Sequence, residues 1–519
     1  MEAIVQKKQQ VTGSRKWILI ATALGCALME LIDTTVVGVA RPAMMGNLGA
    51  TTLQIAWVVS AYSIGNLITV PLSAMFSNLF GRKIYFTASV ILFTFSSLIC
   101  GLSSGLWMLI LWRFLQGLGG GALLATAQSI ITDSFPPKDL PFATAIFGIG
   151  LMIGPAVGPV LGGYIVESWN WNWIFFVNVP IGILGAVFSW KFIPNLAVVK
   201  KITKIDGWGI GFLIIWVCAL EYFFEEGSTN YWFESTKISV AFAIAIAGLI
   251  AFVWRELTCN QPAVNIKLYK NVNLALGHLM NLILGVMVVC MSFIFPLFTQ
   301  DTLGWTAIKQ GTFFIPVALF SAVFMMLVSK VVLKVINMKT SAIIGICLFS
   351  LFLFLLSFST PSSSEQNFFW PYLLNAAGKA FVMVPLMSLA LVGLRGEELA
   401  QATGLSNIMR QLGSAIGVTL ITLYLNTQNA FVSSNLIGHL NAYNTAFTSR
   451  IDEYANKLMD AGYDALNATR GAYALVQSVV NKQIQILSYD NAYRGMAAIL
   501  LTGIIIVLFI KSPKKRISN

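Results

Sequence analysis

Charge is scarce in this sequence. Of its 519 residues, 10% are Asp, Glu, Lys or Arg, whereas 57% are hydrophobic. A soluble domain carries about 25% charged residues, so a soluble protein of this length is excluded. Apolar runs of about 20 residues recur from end to end, each long enough to cross a bilayer as a helix. Open sheets are excluded because lipid cannot satisfy their edges. Histidine occurs only twice and cysteine only six times. Five cysteines (Cys26, Cys100, Cys218, Cys290 and Cys347) fall in apolar runs and Cys259 falls in a basic loop. They show neither metal-ligand spacing nor a disulfide framework and read as small buried hydrophobes. There is no Ser/His/Asp constellation, Walker loop or metal-ligand cluster. Nothing supports an enzyme or an ATPase, and no metal or cofactor is expected. The chain reads as an all-α, polytopic membrane protein.

What is present sets the topology. Spans are read at 17–40, 53–77, 84–104, 106–132, 141–166, 174–194, 207–224, 237–255, 272–298, 307–329, 340–358, 368–392, 401–425 and 488–511. Fourteen crossings put both termini on one side. Loops on that side carry Lys7, Lys8, Arg15, Lys16, Arg82, Lys83, Lys138, Lys200, Lys201, Lys204, Arg255, Lys267, Lys270, Lys330, Lys334, Lys339, Arg395, Lys511, Lys514, Lys515 and Arg516. The opposite short loops carry only Arg41, Lys237 and Lys309. This asymmetry assigns the termini to the cytoplasm. It also explains the net charge of +12 without a nucleic-acid partner, which would need one basic face.

The spans divide as six, two and six. The expected layout is a cytoplasmic tail at 1–16, a six-helix half at 17–194 and a linker with two inserted helices at 195–271. A second six-helix half follows at 272–511, then a tail at 512–519. The second half holds a long outer loop, 426–487, whose patterning (Ile451, Tyr454, Leu458; Tyr473, Val476, Val480) predicts short amphipathic helices. Two halves related by an axis along the membrane normal are a common transporter plan.

Ionisable groups at membrane depth are costly and mark function. Glu30 and Asp33 share span 1, Arg113 lies in span 4, Lys379 in span 12 and Arg410 in span 13; His278 sits nearer an interface, in the span read at 272–298. Glu30 and Asp33 are three apart and share one face. Two acids that close in a desolvated site rarely both ionise, which suits a proton carrier. The alternative is that both simply pair with Arg113. Lys379 is read either as a switchable base or as a side chain that snorkels to an interface.

Several motifs resemble the major facilitator superfamily, and within it the 14-span drug:proton antiporters of the EmrB/QacA type. Span 1 carries IDTTVVGVARP around Asp33, with Gly38 and Arg41 departing from the usual pattern. The loop after span 2 carries SNLFGRK, similar to the cytoplasmic gating motif through Asn78, Gly81, Arg82 and Lys83, with Asn78 in place of aspartate. RFLQGLGGG matches a membrane arginine motif at Arg113, Gln116 and Gly117. GIGLMIGPAVGPVLGGYI resembles the antiporter motif through Gly150, Gly154, Pro155, Gly158, Pro159, Gly162 and Gly163. WNWIFFVNVPIG, EEGSTNYWFES, PAVNIKLYKN and LSNIMRQLGSAIG are typical of the same group, and NKQIQILSYDNAYR leans toward EmrB-like members.

The resemblance implies a proton-coupled exporter of amphipathic, often cationic drugs in a bacterial inner membrane. Its implied partners are a periplasmic membrane-fusion adaptor (EmrA-like), an outer-membrane channel (TolC-like) and the surrounding lipids. Asp33 is expected to be the main coupling acid, assisted by Glu30 and Arg113. Gln116, Asn178, Asn407 and Arg410, with aromatic and methionine side chains, are expected to line the drug pocket. The glycine stripe of span 5 is expected to be a bearing between the halves. An exporter of a specific metabolite or siderophore, an importer on the same fold and an envelope scaffold remain as alternatives.

Overall fold

The computed structural model describes residues 13–136, 139–194, 205–227, 229–391, 394, 397–438, 440–441 and 443–510. Lys7, Lys8, Lys138, Lys200, Lys201, Lys204, Arg395, Lys511, Lys514, Lys515 and Arg516 lie outside the described residues, as does the tail 512–519. The first group of helices is α1 (Ser14–Leu48), α2 (Thr52–Phe80), α3 (Arg82–Gly101), α4 (Leu106–Asp133), α5 (Leu140–Ser168) and α6 (Trp173–Phe192). Two inserted helices follow, α7 (Gly207–Gly227) and α8 (Thr236–Thr258). The second group is α9 (Val272–Leu297), α10 (Ala307–Leu327), α11 (Met338–Leu356), α12 (Glu365–Leu391), α13 (Glu397–Ile437), α14 (Thr445–Asp460) and α15 (Ala465–Phe509). All but α14 are long and apolar enough to cross a membrane, which makes 14 spans.

Local chemistry starts and stops these helices. Thr51 caps α2 in a reciprocal box: its hydroxyl accepts from the Gln54 N–H at 3.3 Å, and Gln54 Oε1 accepts from the Thr51 N–H at 3.0 Å. Gly81 turns the chain between α2 and α3 at φ 84°, a conformation that favours glycine. Asp206 opens α7 by accepting the Gly209 N–H at 3.1 Å, and its carboxylate also pairs with Arg255 of α8 at 2.9 Å. That pair ties the inserted helices into one hairpin at the end of the bundle where α1 begins and α15 ends.

The two halves repeat one packing scheme. In the first, α1 packs on α5, α2 and α3 on α4, and α3 on α6; in the second, α9 packs on α13, α10 and α11 on α12, and α11 on α15. The halves meet along α5–α10 and α2–α13. The inserted α7 rests on α2 and α13, beside that second seam.

The glycine stripe of α5 does not form the seam between halves. A Cβ on Gly150 would meet Leu24, one on Gly154 Leu31, one on Gly158 Thr35 and one on Gly162 Val36, all side chains of α1 in the same half. The helix runs unbroken through Pro155 and Pro159. The other side of α5 meets α10, where Val160 fills the space beside Gly311 and Met325 the space beside Gly148. The second half uses the same device. Gly413 and Gly417 of α13 lie against Leu282 and Val286 of α9, and Gly285 of α9 lies against the Arg410 backbone. Small residues thus bring the first and fifth helices of each half together.

The segment 426–487 is more regular than short helices in a loop. Helix α13 continues to Ile437 and α15 starts at Ala465, so hydropathy had marked only the lipid-embedded parts. At 1.5 Å per residue, these helices of 41 and 45 residues span roughly 60 and 65 Å, about twice a bilayer core. Between them α14 packs on α15 through Ile451, Ala455, Ala472 and Val476. Cys26, Cys100 and Cys290 are buried as expected, but Cys347 is exposed on the outside of the bundle.

Overpacking a close helix contact costs about 1–3 kcal/mol. Gly158→Leu is therefore expected to lower the thermal unfolding midpoint of the detergent-purified protein. Gly25→Ala on α1, where a Cβ would meet nothing within 4 Å, should not lower it, since alanine favours the helix over glycine.

Candidate functional site

Asp33 sits near the middle of α1, and every polar contact it makes is inside the first half. Arg113 of α4 donates to its Oδ2 at 2.6 Å. Gln116 of α4 and Asn178 of α6 donate to its Oδ1 at 3.0 and 2.7 Å. Arg113 is held in turn by the Val58 carbonyl at 3.2 Å, by Gln116 Oε1 at 2.8 Å and by the Tyr62 ring, 4.2 Å from its guanidinium carbon. Asn178 also donates to Ser97 Oγ at 3.1 Å. Both charged side chains are 1% exposed. A buried ion pair survives only with this degree of hydrogen bonding.

Glu30, one turn earlier, has different company. Its Oε1 accepts from the Tyr62 hydroxyl at 3.2 Å and from Asn66 Nδ2 at 2.9 Å, both on α2. Its Oε2 is buried and accepts no hydrogen bond from a described residue. Neither oxygen reaches Arg113, so a shared pairing of both acids with that arginine does not form. Asn66 Oδ1 accepts from Gln411 Nε2 of α13 at 2.6 Å, which links the Glu30 cluster to the second half.

Glu30 lines a cavity of about 400 Å³ between the halves, together with Tyr62, Asn66, Arg410 and Gln411. Drug-sized ligands occupy pockets of about 300–1,000 Å³. The halves are joined at the end of the bundle where α1 begins: Asn407 donates to Gln128 at 2.7 Å, and the Thr144 and Ser388 hydroxyls meet at 3.2 Å. The cavity lies on the other side of these joints. At the same end Arg82 pairs with Asp133 of α4 at 2.9 Å, and Lys83 lies over the Trp190 ring at 4.6 Å. The gating residues therefore engage only their own half, and Asn78, half-buried at the end of α2, adds no hydrogen bond from a described residue.

Four residues were expected in the pocket, and one is there. Arg410 lines the cavity. Gln116 and Asn178 are turned to Asp33, whose carboxylate needs their donors. Asn407 is committed to the joint with Gln128. Methionine is absent from the described lining, where Tyr62 and Phe224 supply the aromatic surface. His278, in the second turn of α9, is buried, its Nδ1 3.1 Å from the Tyr269 hydroxyl. Lys379 is half-buried with its ammonium 5.8 Å from the Phe349 ring centre. Sequence reasoning missed Gln411, Gln128 and the acids of α7. Glu221 was open to discovery by the rule that flagged Glu30, since it too is an ionisable group within a span.

The sequence profile of the Major Facilitator Superfamily matches residues 23–418. The chain belongs to this superfamily. Its members are transporters, and the relatives of this chain are of the EmrB and FarB type. The fatty acid resistance protein FarB of Neisseria gonorrhoeae is 29% identical over 501 residues, covering 96% of each chain. The multidrug export protein EmrB of Haemophilus influenzae is 28% identical over 498 residues, again covering 96% of each. Among solved structures, the human organic anion transporter MFSD10 (TETRAN) superposes with a TM-score of 0.57 at 12% identity, over 94% of this chain and 99% of that one. That likeness is one of fold alone.

Within this superfamily member, the Asp33–Arg113 pair predicts a charge rescue. Removing one partner of a buried pair costs about 3–5 kcal/mol because the other is left uncompensated. Arg113→Met should therefore destabilise the purified protein strongly, and Asp33→Asn added to it should restore part of the loss. Thermal unfolding of the two single variants and the double variant measures the effect.

Proposed function

We propose that the protein is a proton-coupled exporter of amphipathic cations that works by alternating access in a bacterial inner membrane. The observation that carries this reading is the free oxygen of Glu30 in the wall of the cavity between the halves. A proton and a cationic substrate would compete for that carboxylate. Asp33 has the complementary role. Its carboxylate is saturated by three donor side chains, so taking up a proton there would release Arg113 and loosen α1 from α4.

The basic loops support a cytoplasmic placement of the face where the chain begins and ends. With the halves joined at that face, the described conformation would be open toward the periplasm. The overlong α13 and α15, with α14 packed between them, would then project from the periplasmic face and dock a membrane-fusion adaptor leading to an outer-membrane channel. Energetics favour two acids over one. A charge crossing 100 mV is worth about 2.3 kcal/mol, which one-for-one exchange of a proton with a monovalent cation forgoes. Two protons per cation recover it.

A second reading has one observation in its favour. Arg41 and Arg410 also line the cavity, and a carboxylate headgroup suits guanidinium donors. An exporter of anionic amphipaths such as fatty acids would use them.

Proteoliposomes with an acidic interior test the first reading. Each pH unit supplies about 1.4 kcal/mol per proton. Tetraphenylphosphonium should accumulate inside vesicles that expose the cytoplasmic face outward, and both Glu30→Gln and Asp33→Asn should abolish the accumulation while still inserting. Accumulation by both variants at the wild-type rate would overturn proton coupling through these acids.

A further inference from the structure

The inserted helix α7 is placed where a passenger helix would have no reason to be. It covers the seam between α2 and α13, the flank on which the cavity lies, and it turns Glu221, Phe224 and Glu225 into that cavity. Two of the side-chain hydrogen bonds among the described residues help to hold it there. The Ser60 hydroxyl of α2 donates to Glu225 Oε2, and the Trp57 indole N–H donates to Glu226 Oε1 at 3.1 Å. Glu221 is 7% exposed, one turn deeper than Glu225 on the same helix face. Like charges at this spacing destabilise a helix by a few tenths of a kcal/mol, so the pair is a cost that something else offsets.

The lining as a whole carries three carboxylates, Glu30, Glu221 and Glu225, against two guanidiniums, Arg41 and Arg410. Arg410 is near enough to Glu30, and Arg41 to Glu225, for each pair to attract, while the Arg410 guanidinium also lies 3.4 Å from Asn407 Oδ1; one carboxylate is left in excess. Glu30 keeps one buried oxygen without any donor. The unsatisfied capacity of the cavity is therefore acidic, and it extends from the middle of α1 to the far end of α7.

We propose that α7 is a substrate-binding element, in which Glu221 and Glu225 form an acidic subsite for the positively charged head of an amphipathic cation. The apolar body of the ligand lies against Phe224, Leu124 and Val289, with Glu30 at the inner end of the site. This rests on the cation-export reading above and adds to it that the first inserted helix is part of the binding site rather than an appendage of a 12-helix core.

Binding to the full-length protein in detergent, followed by isothermal calorimetry with tetraphenylphosphonium and separately with laurate, tests it. The double variant Glu221→Gln/Glu225→Gln should weaken tetraphenylphosphonium binding at least about tenfold, equivalent to about 1.4 kcal/mol, and leave laurate no weaker. Glu221→Asp, which keeps the charge, should retain most of the affinity. Glu234→Gln, exposed on the turn between α7 and α8 and outside the cavity, should bind as wild type does. Wild-type affinity for tetraphenylphosphonium in the double variant overturns the subsite and leaves the export reading standing. A wild-type protein that binds laurate but not tetraphenylphosphonium overturns both.

Discussion

A charge inside this bundle must find its partner within the protein, because lipid offers none. The rest of the site follows from how Asp33 meets that constraint. It draws Arg113 from α4 and amide donors from α4 and α6, and so fixes three helices of the first half around one carboxylate. With the strongest donors used there, Glu30 is left with a hydroxyl and an amide from α2 and one free oxygen. One acid is locked and its neighbour is open, although both lie on the same stretch of α1. Division of labour between two carboxylates is a consequence of who supplies the donors.

The connection to movement runs through the same residues. Asn66 binds Glu30 with its amide nitrogen and Gln411 of the other half with its oxygen. A change of charge at Glu30 is therefore felt one hydrogen bond away from the seam between α2 and α13. The opposite seam, α5 against α10, includes apolar contacts, with Met325 and Val160 seated beside Gly148 and Gly311. Apolar contacts of this kind permit rotation without breaking hydrogen bonds. Among the described residues the polar joints between the halves include Gln128 with Asn407, Thr144 with Ser388 and Asn66 with Gln411.

Much of this was legible in the sequence, and the gaps have physical causes. Hydropathy located all fourteen spans because length and apolarity are what a bilayer demands. It could not see α13 and α15 continuing beyond the lipid, since a helix does not end where its side chains become polar. Helical spacing correctly put Glu30 and Asp33 on one side of α1. Three residues at 3.6 per turn still leave them about 60° apart, enough to turn one to α4 and the other to α2. The stripe in α5 was plain from its four-residue repeat, but a repeat says only that a face is smooth. Which helix meets that face, α1 and not the other half, is decided by packing. Gln116 and Asn178 were expected to line the drug pocket, and their destination depended instead on where Asp33 lay in three dimensions. Glu221 went unread because it stood close to the end of its run, beside the acidic Glu225 and Glu226.

The central claim is that Glu30, the acid open to the cavity, is where a proton and a cation trade places. Proton release on ligand binding measures this directly. The detergent-purified protein in weakly buffered solution with a pH-sensitive dye is mixed with tetraphenylphosphonium. Wild type and Asp33→Asn should both release protons on binding, and Glu30→Gln should bind without release. Undiminished release from Glu30→Gln, with release lost only in Asp33→Asn, would contradict the account and return the exchanging role to Asp33.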